Sequence, residues 1–398
     1  MKINFTMMST SMSGGARAVF EIINELSDRG HTITITALQG NHSWFPVKAD
    51  VRYVKAPYII KILNPINKFR KKDDFEYSSL GGIFRWFKTG FDADLVKPLS
   101  QITPDCDINV ATWFSTSFAV YRSQKGIPFY FFQDFEELVE PLGPYDVRMF
   151  KESLYLPLNI LTISNWLKDW IKEDYGKNAI LAGDGLNHEN FYPRQNVLED
   201  VPGHKIMTIL RGGKYKGDGD LIKALNIVSG EIPDLTLIAV GNRKILDALK
   251  DKHGFKFNYK LFERPSDDLM AELYSSSDIF AFPSHKEGFG LPPLESMACG
   301  TPVVTTDCLG VRDFVSNGEN AIMVPVKDPD ELARGIHELL TNDELGEKFK
   351  ENGLKTAQRF TWRNVADVFE ESFSRAMEES SPNPVEASAS EKYDNNVN

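Results

Sequence analysis

The sequence PSHKEGFGLPPLESMACGTPVV, at residues 283–304, carries the clearest local structure signals of the chain. The apolar run 279–282 before it has the length of a strand, and the glycines that follow indicate a loop. Pro292 and Pro293 indicate the first turn of a helix, because that turn needs no backbone N–H donors. Gly300 indicates where the helix ends. The sequence therefore predicts a strand, a glycine loop and a helix.

The start of this helix is a candidate anion site. Its N-terminus follows the loop Gly288-Phe289-Gly290 and exposes unpaired N–H groups, which suit a diphosphate. Glu287 lies on the loop, and Glu295 lies in the first turns of the helix. Because carboxylates repel phosphate, we expect these two side chains to accept hydrogen bonds from sugar hydroxyls.

A second candidate feature is RGGKYKG, residues 211–217, which lies between a predicted strand and a predicted helix. Arg211 and Lys216 can converge on one anion, and the glycines permit close backbone approach. A solvated basic turn remains the alternative. Asp218 and Asp220 follow directly, and we interpret them as solvated acids that cap the next helix rather than as metal ligands.

Strand and helix patterns alternate along the whole chain. After the first predicted strand, Gly14-Gly15 break the pattern, and apolar residues from Ala16 to Leu26 recur at helical spacing. This order predicts parallel sheets with crossover helices, in two doubly wound α/β halves. The strand candidates are residues 2–8, 32–38, 107–112, 129–132 and 160–163, and then 205–210, 235–240, 279–282 and 302–305.

The polar, proline-containing stretch 187–202 indicates the join between the halves. We expect a first domain over residues 1–192 and a second over residues 193–360. A final helix, residues 361–377, has apolar residues at helical spacing. Residues 378–398 are rich in Glu, Ser, Asn and Pro, which predicts a disordered tail.

Composition excludes several classes of protein. The 398 residues include 45 basic and 56 acidic ones, and the net charge of −11 argues against a nucleic-acid binder. No apolar run is long enough to span a membrane, and polar residues interrupt any signal peptide. The 3 cysteines and 7 histidines show no metal-binding spacing. We therefore expect a cytoplasmic protein without disulfides and without a metal.

The two glutamates, separated by seven residues within EGFGLPPLESMACGTPVV, resemble the signature of the family-4 glycosyltransferases. That family implies the α/β GT-B fold, in which two Rossmann-like domains face each other across a cleft. It also implies a C-terminal helix that crosses back to the first domain. Further similar segments are Gly14-Gly15-Ala16-Arg17, the helix after Ser164, Asn190-Phe-Tyr-Pro193, the Arg211 and Lys216 pair, and Phe360-Thr-Trp362.

The resemblance implies a role for each matching residue. Arg211 and Lys216 would neutralise the leaving diphosphate, and Glu287 would contact hydroxyls of the donor sugar. Glu295 would bind the ribose. The remaining donor-binding residues of the glutamate loop are Gly288, Phe289, Gly290 and Leu291. Gly290 and Leu291 would give backbone N–H groups to the diphosphate. In the first domain, Gly14 and Gly15 would close over the donor phosphate or the acceptor.

Some positions depart from the family pattern. The region near residue 110 has no histidine, so the usual contact to the sugar 6-position does not transfer. The segment FYFFQDFE, residues 129–136, resembles one in rhamnosyl-transferring members and favours a deoxysugar donor such as dTDP-rhamnose. Asp134 or Glu136 is therefore a candidate acceptor or sugar contact. The alternative is a strand end with a capping acid.

These features together predict a retaining glycosyltransferase without metal or cofactor. It would move a sugar from a nucleotide-diphosphate sugar to a glycan or lipid-linked acceptor in surface polysaccharide synthesis. The alternatives are a degenerate GT-B scaffold and a sugar-nucleotide epimerase. A dinucleotide oxidoreductase is disfavoured, because no GxGxxG follows the first strand.

The segment 58–72 suggests a location at the inner face of the membrane. It combines apolar residues with several lysines and an arginine and contains no acid. Such a segment can contact an anionic membrane peripherally. A basic loop over a small apolar core is the alternative.

Overall fold

A computed structural model of the protein describes residues 1–54 and 95–380. The predicted membrane segment, residues 58–72, lies outside these residues, and so does the predicted tail from residue 381 onward. Residues 378–380, which the sequence assigned to the tail, are the last turn of a helix. The helix continues because Glu378 and Glu379 favour helix and no breaker comes before Pro382.

Backbone contacts divide the chain into two compact units. The first unit contains residues 1–162, residues 168–182 and the chain from residue 365 onward. The second unit contains residues 163–167 and 183–364.

The first unit is built on a seven-stranded sheet in the order β3-β2-β1-β4-β5-β6-β7, with all pairs parallel. A parallel sheet covered on both faces by helices needs apolar residues on both faces of its strands. Phe129 and Phe131, on one face, and Tyr130 and Phe132, on the other, are all buried. The strands are β1 (Lys2–Ser9), β2 (Thr32–Gln39), β3 (Asp50–Tyr53), β4 (Ile108–Ala111), β5 (Ile127–Phe132), β6 (Asn159–Thr162) and β7 (Ala179–Leu181).

Helices connect these strands. Ser13 caps the first helix by accepting a hydrogen bond from the backbone N–H of Ala16 over 3.1 Å. The helices in this part of the chain are α1 (Gly14–Asp28), α2 (Lys97–Ile102), α3 (Phe114–Ser123), α4 (Glu136–Val139), α5 (Pro144–Ser153) and α6 (Asn165–Tyr175).

The second unit is built on a six-stranded parallel sheet in the order β10-β9-β8-β11-β12-β13. Its strands are β8 (His204–Leu210), β9 (Leu235–Gly241), β10 (Asn258–Phe262), β11 (Ile279–Phe282), β12 (Val303–Thr306) and β13 (Ile322–Val324). Its helices are α7 (Asp218–Val228), α8 (Arg243–His253), α9 (Asp267–Ser275), α10 (Leu291–Ala298), α11 (Pro329–Thr341) and α12 (Asp343–Ala357).

The last helix, α13 (Trp362–Ser380), groups with the first unit from residue 365 onward. Its Phe369 ring lies 5.0 Å from that of Phe131, and its Phe373 ring lies 4.8 Å from that of Phe129. Edge-to-face packing of this kind stabilises the contact beyond the area that it buries. The chain therefore returns to the first unit at its end, as the resemblance implied.

The first unit gives way to the second at residue 183, before the boundary of 192 that the sequence suggested. His188 forms a hydrogen bond of 3.0 Å with the carbonyl of Phe360, and the Phe191 ring lies 6.2 Å from that of Tyr274. Residues 183–192 are therefore attached to the second unit by side chains whose partners lie far away in the sequence.

The order of strands in the second sheet explains how its two motifs meet. β8 and β11 are neighbours, and they pair in parallel although β9 and β10 lie between them in the sequence. The loops after them, residues 211–217 and 283–290, therefore leave the same edge of the sheet side by side. Such an edge, where the strand order reverses, is where doubly wound sheets bind ligands.

Candidate active site

The glycine loop leads directly into helix α10, as the sequence predicted. Gly290 is the N-cap with φ of 99°, in the left-handed region that favours glycine. A Cβ at this position would lie 3.1 Å from Val311 Cγ1, so the loop also needs a residue without a side chain. Pro292 lies in the first turn, where its missing N–H costs nothing. The helix thus begins without a side-chain cap over its N–H groups.

Arg211 and Lys216 converge on the carboxylate of Glu287. Arg211 Nη2 lies 2.7 Å from Glu287 Oε1, and Lys216 Nζ lies 3.0 Å from Oε1 and 3.2 Å from Oε2. Ser284 Oγ donates a further hydrogen bond of 2.7 Å to Oε1. The two cations therefore converge on one carboxylate and are not a solvated basic turn, and we call Arg211 and Lys216 the clamp.

The carboxylate of Glu287 is charged although the residue is buried. Burial by itself would raise the pKa of this carboxyl, but the charges of Arg211 and Lys216 hold its pKa below the usual value. The carboxylate in turn offsets one of the two positive charges of the clamp. An anion that binds Arg211 and Lys216 therefore competes with Glu287 for their N–H groups.

Backbone contacts hold the two loops together. Gly217, with φ of 66°, lies so close to Pro283 that a Cβ would come within 1.8 Å of the Pro283 carbonyl oxygen. The backbone N–H of His285 donates to the carbonyl of Tyr215 over 2.8 Å. Arg211 also reaches Ser284 Oγ, at 2.9 Å. The clamp loop and the glutamate loop are therefore one packed assembly.

From the sequence we interpreted Asp218 and Asp220 as solvated capping acids. The structure shows that this interpretation is wrong. Helix α7 has Gly217 as its N-cap, and Asp218 is buried with 6% exposure. Its Oδ2 accepts a hydrogen bond of 2.7 Å from the backbone N–H of Gly212. Asp220 pairs with His285 at 2.8 Å. Both acids thus brace the assembly of the two loops, because each contacts one of them.

Glu295 is held by a residue that sequence reasoning missed. Tyr274, on α9, donates a hydrogen bond of 2.9 Å from its hydroxyl to Glu295 Oε2. The tyrosine is fully buried, and its ring lies 5.1 Å from that of Phe280. Burial and the neighbouring carboxylate raise the pKa of Tyr274 far above the usual value, so that the hydroxyl keeps its proton.

A further acid lies near Glu295. Asp184 is buried, and its Oδ1 accepts a hydrogen bond of 3.1 Å from the backbone N–H of Gly185. Burial, with a contribution from the charge of Glu295, raises the pKa of Asp184 to about 7. Asp184 thus lies close enough to the predicted ribose carboxylate for the two charges to interact.

Gly288 and Phe289 are fixed by packing. The Phe289 ring is buried and lies 5.3 Å from Phe314 and 5.8 Å from Phe360. The Gly288 carbonyl accepts a hydrogen bond of 2.9 Å from Nε1 of Trp166, which groups with the second unit. The loop in front of α10 is therefore preorganised, with Leu291 as the first residue of the helix.

In the first unit, Gly15 and Asp134 lie at the same edge of the sheet. Gly14 and Gly15 begin α1, and a Cβ on Gly15 would lie 3.4 Å from Oε1 of Gln133. Asp134 follows β5 and is half-buried. Burial raises the pKa of its carboxyl to about 7. The N-cap of the next helix is Phe135, so Asp134 is not a capping acid.

Glu136, the other acid of this segment, pairs with Lys151 at 3.0 Å. Within residues 1–54 and 95–380, no three His, Cys, Asp or Glu side chains are grouped so that they could hold a metal. In the same ranges, no helix has the length and apolar character needed to cross a membrane.

Comparison with known proteins identifies the family of the second unit. Residues 194–356 match the family model of the glycosyl transferases group 1. The chain is 28% identical over 254 residues to the capsular polysaccharide biosynthesis glycosyltransferase CapM of Staphylococcus aureus, covering 58% of this chain and 65% of CapM. It is 30% identical over 224 residues to the phosphatidyl-myo-inositol mannosyltransferase of Mycobacterium tuberculosis, covering 52% and 56%. Each of these matches covers less than two thirds of the relative's length.

A solved structure shares the fold over nearly the whole chain. Anabaena HepE in complex with UDP-glucose superposes with a TM-score of 0.71 at 17% identity, covering 94% of this chain and 100% of HepE. The glutamate motif, the clamp and the two sheets agree with the family match. Residues 194–356 therefore form a glycosyl transferase group 1 domain, in a chain with the GT-B fold of two Rossmann-like units.

Proposed function

We propose that this protein is a retaining glycosyltransferase that moves a sugar from a nucleoside diphosphate sugar to a glycan or lipid-linked glycan. The observation that carries the proposal is the convergence of Arg211 and Lys216 on one carboxylate, just ahead of helix α10. A diphosphate has the charge and the oxygen acceptors for the same two cations and for the helix N–H groups. The group 1 match over residues 194–356 supports this choice of ligand.

The clamp supplies electrostatic stabilisation where the reaction needs it. When the bond between the anomeric carbon and the diphosphate breaks, negative charge grows on the diphosphate and positive charge on the sugar ring. Arg211, Lys216 and the N–H groups of Gly290 and Leu291 are fixed before the reaction. Fixed charges and dipoles lower the barrier because they do not have to reorganise during it.

Glu287 changes partners when the donor binds. In this structure it pairs with both Arg211 and Lys216. The donor diphosphate takes its place, and the carboxylate then accepts hydrogen bonds from hydroxyls of the donor sugar. The carboxylate of Glu287 thus occupies the position that the negatively charged diphosphate of the donor takes when it binds.

The configuration of the sugar is retained without a covalent intermediate. Glu287 is a poor nucleophile, because with the donor bound its oxygens accept hydrogen bonds from Ser284 and from the sugar hydroxyls. The acceptor hydroxyl instead attacks from the face that the diphosphate leaves. A departing phosphate oxygen takes the acceptor proton, so that atoms and charges balance.

The remaining site residues have binding roles in this proposal. Glu295, oriented by Tyr274, accepts hydrogen bonds from the ribose hydroxyls. Gly14 and Gly15 let the backbone of the first unit approach the donor phosphate or the acceptor. Asp134 contacts the acceptor or the sugar. The cations do the work that a metal does in other transferases, so no metal or cofactor is needed.

The setting is surface polysaccharide or glycolipid synthesis on the cytoplasmic side, with residues 58–72 against the membrane. The names of the CapM protein and the mannosyltransferase support such an acceptor. The segment 129–136 favours dTDP-rhamnose as donor, whereas the UDP-glucose complex of HepE makes a UDP-sugar the alternative. Arg211, Lys216 and Glu295 are all present, which speaks against a degenerate scaffold.

A thermal-shift screen tests the proposal. The protein is heated with UDP, GDP, ADP, dTDP and their common sugars, with and without EDTA. Because a ligand that binds only the folded protein raises its melting temperature, we expect one nucleotide to give a shift that survives EDTA. A shift with dTDP supports the rhamnose donor, and one with UDP overturns it. A shift that EDTA abolishes contradicts the metal-free clamp, and no shift with any nucleotide contradicts the proposed activity.

A further inference from the structure

Asp218 is a buried carboxylate immediately after the clamp loop. Only 6% of the residue is exposed, and its Oδ2 accepts a hydrogen bond of 2.7 Å from the backbone N–H of Gly212. Gly212 directly follows Arg211, the first cation of the clamp. Asp218 itself comes two residues after Lys216, the second cation. One carboxylate thus ties the two ends of the clamp loop together.

Few other contacts restrain the loop backbone at this point. Gly212 and Gly213 have φ angles of 64° and 98°, and glycine can adopt many other conformations. A Cβ on Gly213 would meet no atom within 4 Å, whereas one on Gly212 would lie 3.2 Å from Ile245 Cδ1. The N–H of Lys216 lies 3.5 Å from the Gly213 carbonyl. The shorter hydrogen bond from Gly212 to Asp218 therefore adds to these contacts in holding one conformation of the Gly212 backbone.

Charge also connects Asp218 to the clamp. Burial raises the pKa of Asp218, and the hydrogen bond from Gly212 and the positive charges of Arg211 and Lys216 offset only part of that rise. The two cations therefore have two carboxylates, with Glu287 on the neighbouring loop and Asp218 on helix α7. Glu287 leaves them when a donor binds in the proposed function, whereas Asp218 is held to the backbone and stays.

Three buried polar atoms of the two-loop assembly have no hydrogen-bond partner, namely Oδ1 of Asp218, Nε of Arg211 and Nδ1 of His285. The first two are an acceptor and a donor of opposite charge. Unpaired buried polar groups are costly, so their presence beside a ligand site indicates groups that the site uses. We propose that Asp218 is a positioning residue, which holds the Arg211–Gly217 loop so that both cations point at the donor diphosphate. This inference rests on the proposed function for its ligand.

The test compares three variants in the full chain. Asp218→Ala removes the acceptor for the Gly212 N–H, whereas Asp218→Asn keeps an acceptor oxygen and removes the charge. Asp330→Asn is the matched control, because Asp330 is an exposed acid in the first turn of helix α11. Two quantities are measured: hydrogen exchange of the amides in residues 211–217, and the affinity for inorganic pyrophosphate by calorimetry.

We expect Asp218→Ala to speed exchange of the Gly212 amide and to weaken pyrophosphate binding, each at least tenfold. Asp218→Asn and Asp330→Asn should stay within threefold of the unaltered protein in both measurements. Unchanged exchange and affinity in Asp218→Ala would overturn the inference. If Asp218→Ala does not fold, Asp218→Asn decides, since a tenfold weaker affinity there would mean that charge and not position matters.

The two proposals fail in different ways. If the unaltered protein does not bind pyrophosphate, the anion clamp of the proposed function is wrong. The exchange measurement needs no ligand, so it still shows whether Asp218 holds the loop. A tenfold change in the exchange of the Gly212 amide supports that role even then, and an unchanged rate contradicts it.

Discussion

Arg211 Nη2 donates a hydrogen bond of 2.7 Å to Glu287 Oε1, which joins the residue after strand β8 to the loop after strand β11. These strands are neighbours in the sheet although 68 positions separate Arg211 from Ile279, the first residue of β11. The pair places a basic group and an acidic group of two separate motifs in one buried site. Glu287 therefore offsets one of the two positive charges of the clamp, which leaves a net positive charge on Arg211, Lys216 and Glu287 together.

This ion pair should be strongly coupled. Removing one partner of a fully buried pair costs about 3–5 kcal/mol, because the other charge is left uncompensated. The loss should be smaller here, because Arg211 is partly exposed and Lys216 still pairs with Glu287. We expect Arg211→Met to lower the free energy of unfolding of the second unit, and Glu287→Gln added to it to restore part of the loss. Denaturant unfolding of the two single variants and the double variant measures the coupling. Additive effects would mean that the pair is not coupled.

Gly217 should tolerate no side chain. Its φ of 66° is left-handed, and a Cβ would meet the Pro283 carbonyl oxygen at 1.8 Å. Gly217→Ala should therefore push the two loops apart and lower both the melting temperature and the affinity for pyrophosphate. Gly254→Ala is the control, because Gly254 has φ of 63° with nothing within 4 Å of a Cβ. Equal effects of the two substitutions would show that the close approach to Pro283 does not matter.

Tyr274 should affect the binding of the nucleoside part of the donor but not the binding of its diphosphate. Tyr274→Phe removes the hydroxyl that donates to Glu295. We expect nucleoside diphosphate affinity to fall about tenfold, since hydrogen bonds to charged groups contribute about 1.5–3 kcal/mol. Pyrophosphate affinity should not change. Tyr259→Phe is the control. Among the contacts of the described residues, the Tyr259 hydroxyl forms a hydrogen bond only with the exposed amine of Lys250. A parallel loss of both affinities in Tyr274→Phe would contradict the ribose role of Glu295.

Asp134 should make the first unit less stable as the pH rises. Burial raises the pKa of its carboxyl to about 7, whereas the unfolded chain releases this proton near pH 4. Between these values the folded state binds the extra proton, so a rise in pH costs stability that is fully lost above pH 7. We expect Asp134→Asn to gain in melting temperature relative to the unaltered protein, and the gain to be larger at pH 8 than at pH 5. A gain that does not depend on pH would contradict the raised pKa.

Much of the fold could be predicted from the sequence, because local patterns carry it. Apolar strand runs and the proline and glycine signals around α10 predicted helix α10 and nine of the thirteen described strands, with small errors at their ends. The four strands at the sheet edges, β3, β7, β10 and β13, were missed. The end of α13 was placed three residues too early, at residue 377 instead of Ser380, because acidic and serine-rich composition indicates disorder even where no helix breaker is present.

The site could be predicted only in part. The motifs identified Arg211, Lys216 and Glu287, but not that the two cations bind the glutamate itself, since this depends on which strands are neighbours. Tyr274 was missed, and Asp218 was misinterpreted as a solvated capping acid, for a similar reason. A tyrosine among apolar helix residues and an acid in the first turn of a helix are both ordinary features, and only burial beside Glu295 and Gly212 distinguishes them.

The central claim is that Arg211 and Lys216 stabilise the leaving diphosphate. The most direct test uses the nucleotide sugar that raises the melting temperature of the protein most. It measures the rate at which the protein releases nucleoside diphosphate from that nucleotide sugar, in the presence of EDTA. The rate is compared with that of the Arg211→Ala, Lys216→Ala double variant at saturating donor. We predict a loss of about 100- to 1,000-fold in turnover, as when comparable oxyanion stabilisation is removed. Turnover by the folded double variant within threefold of the unaltered protein would contradict the claim.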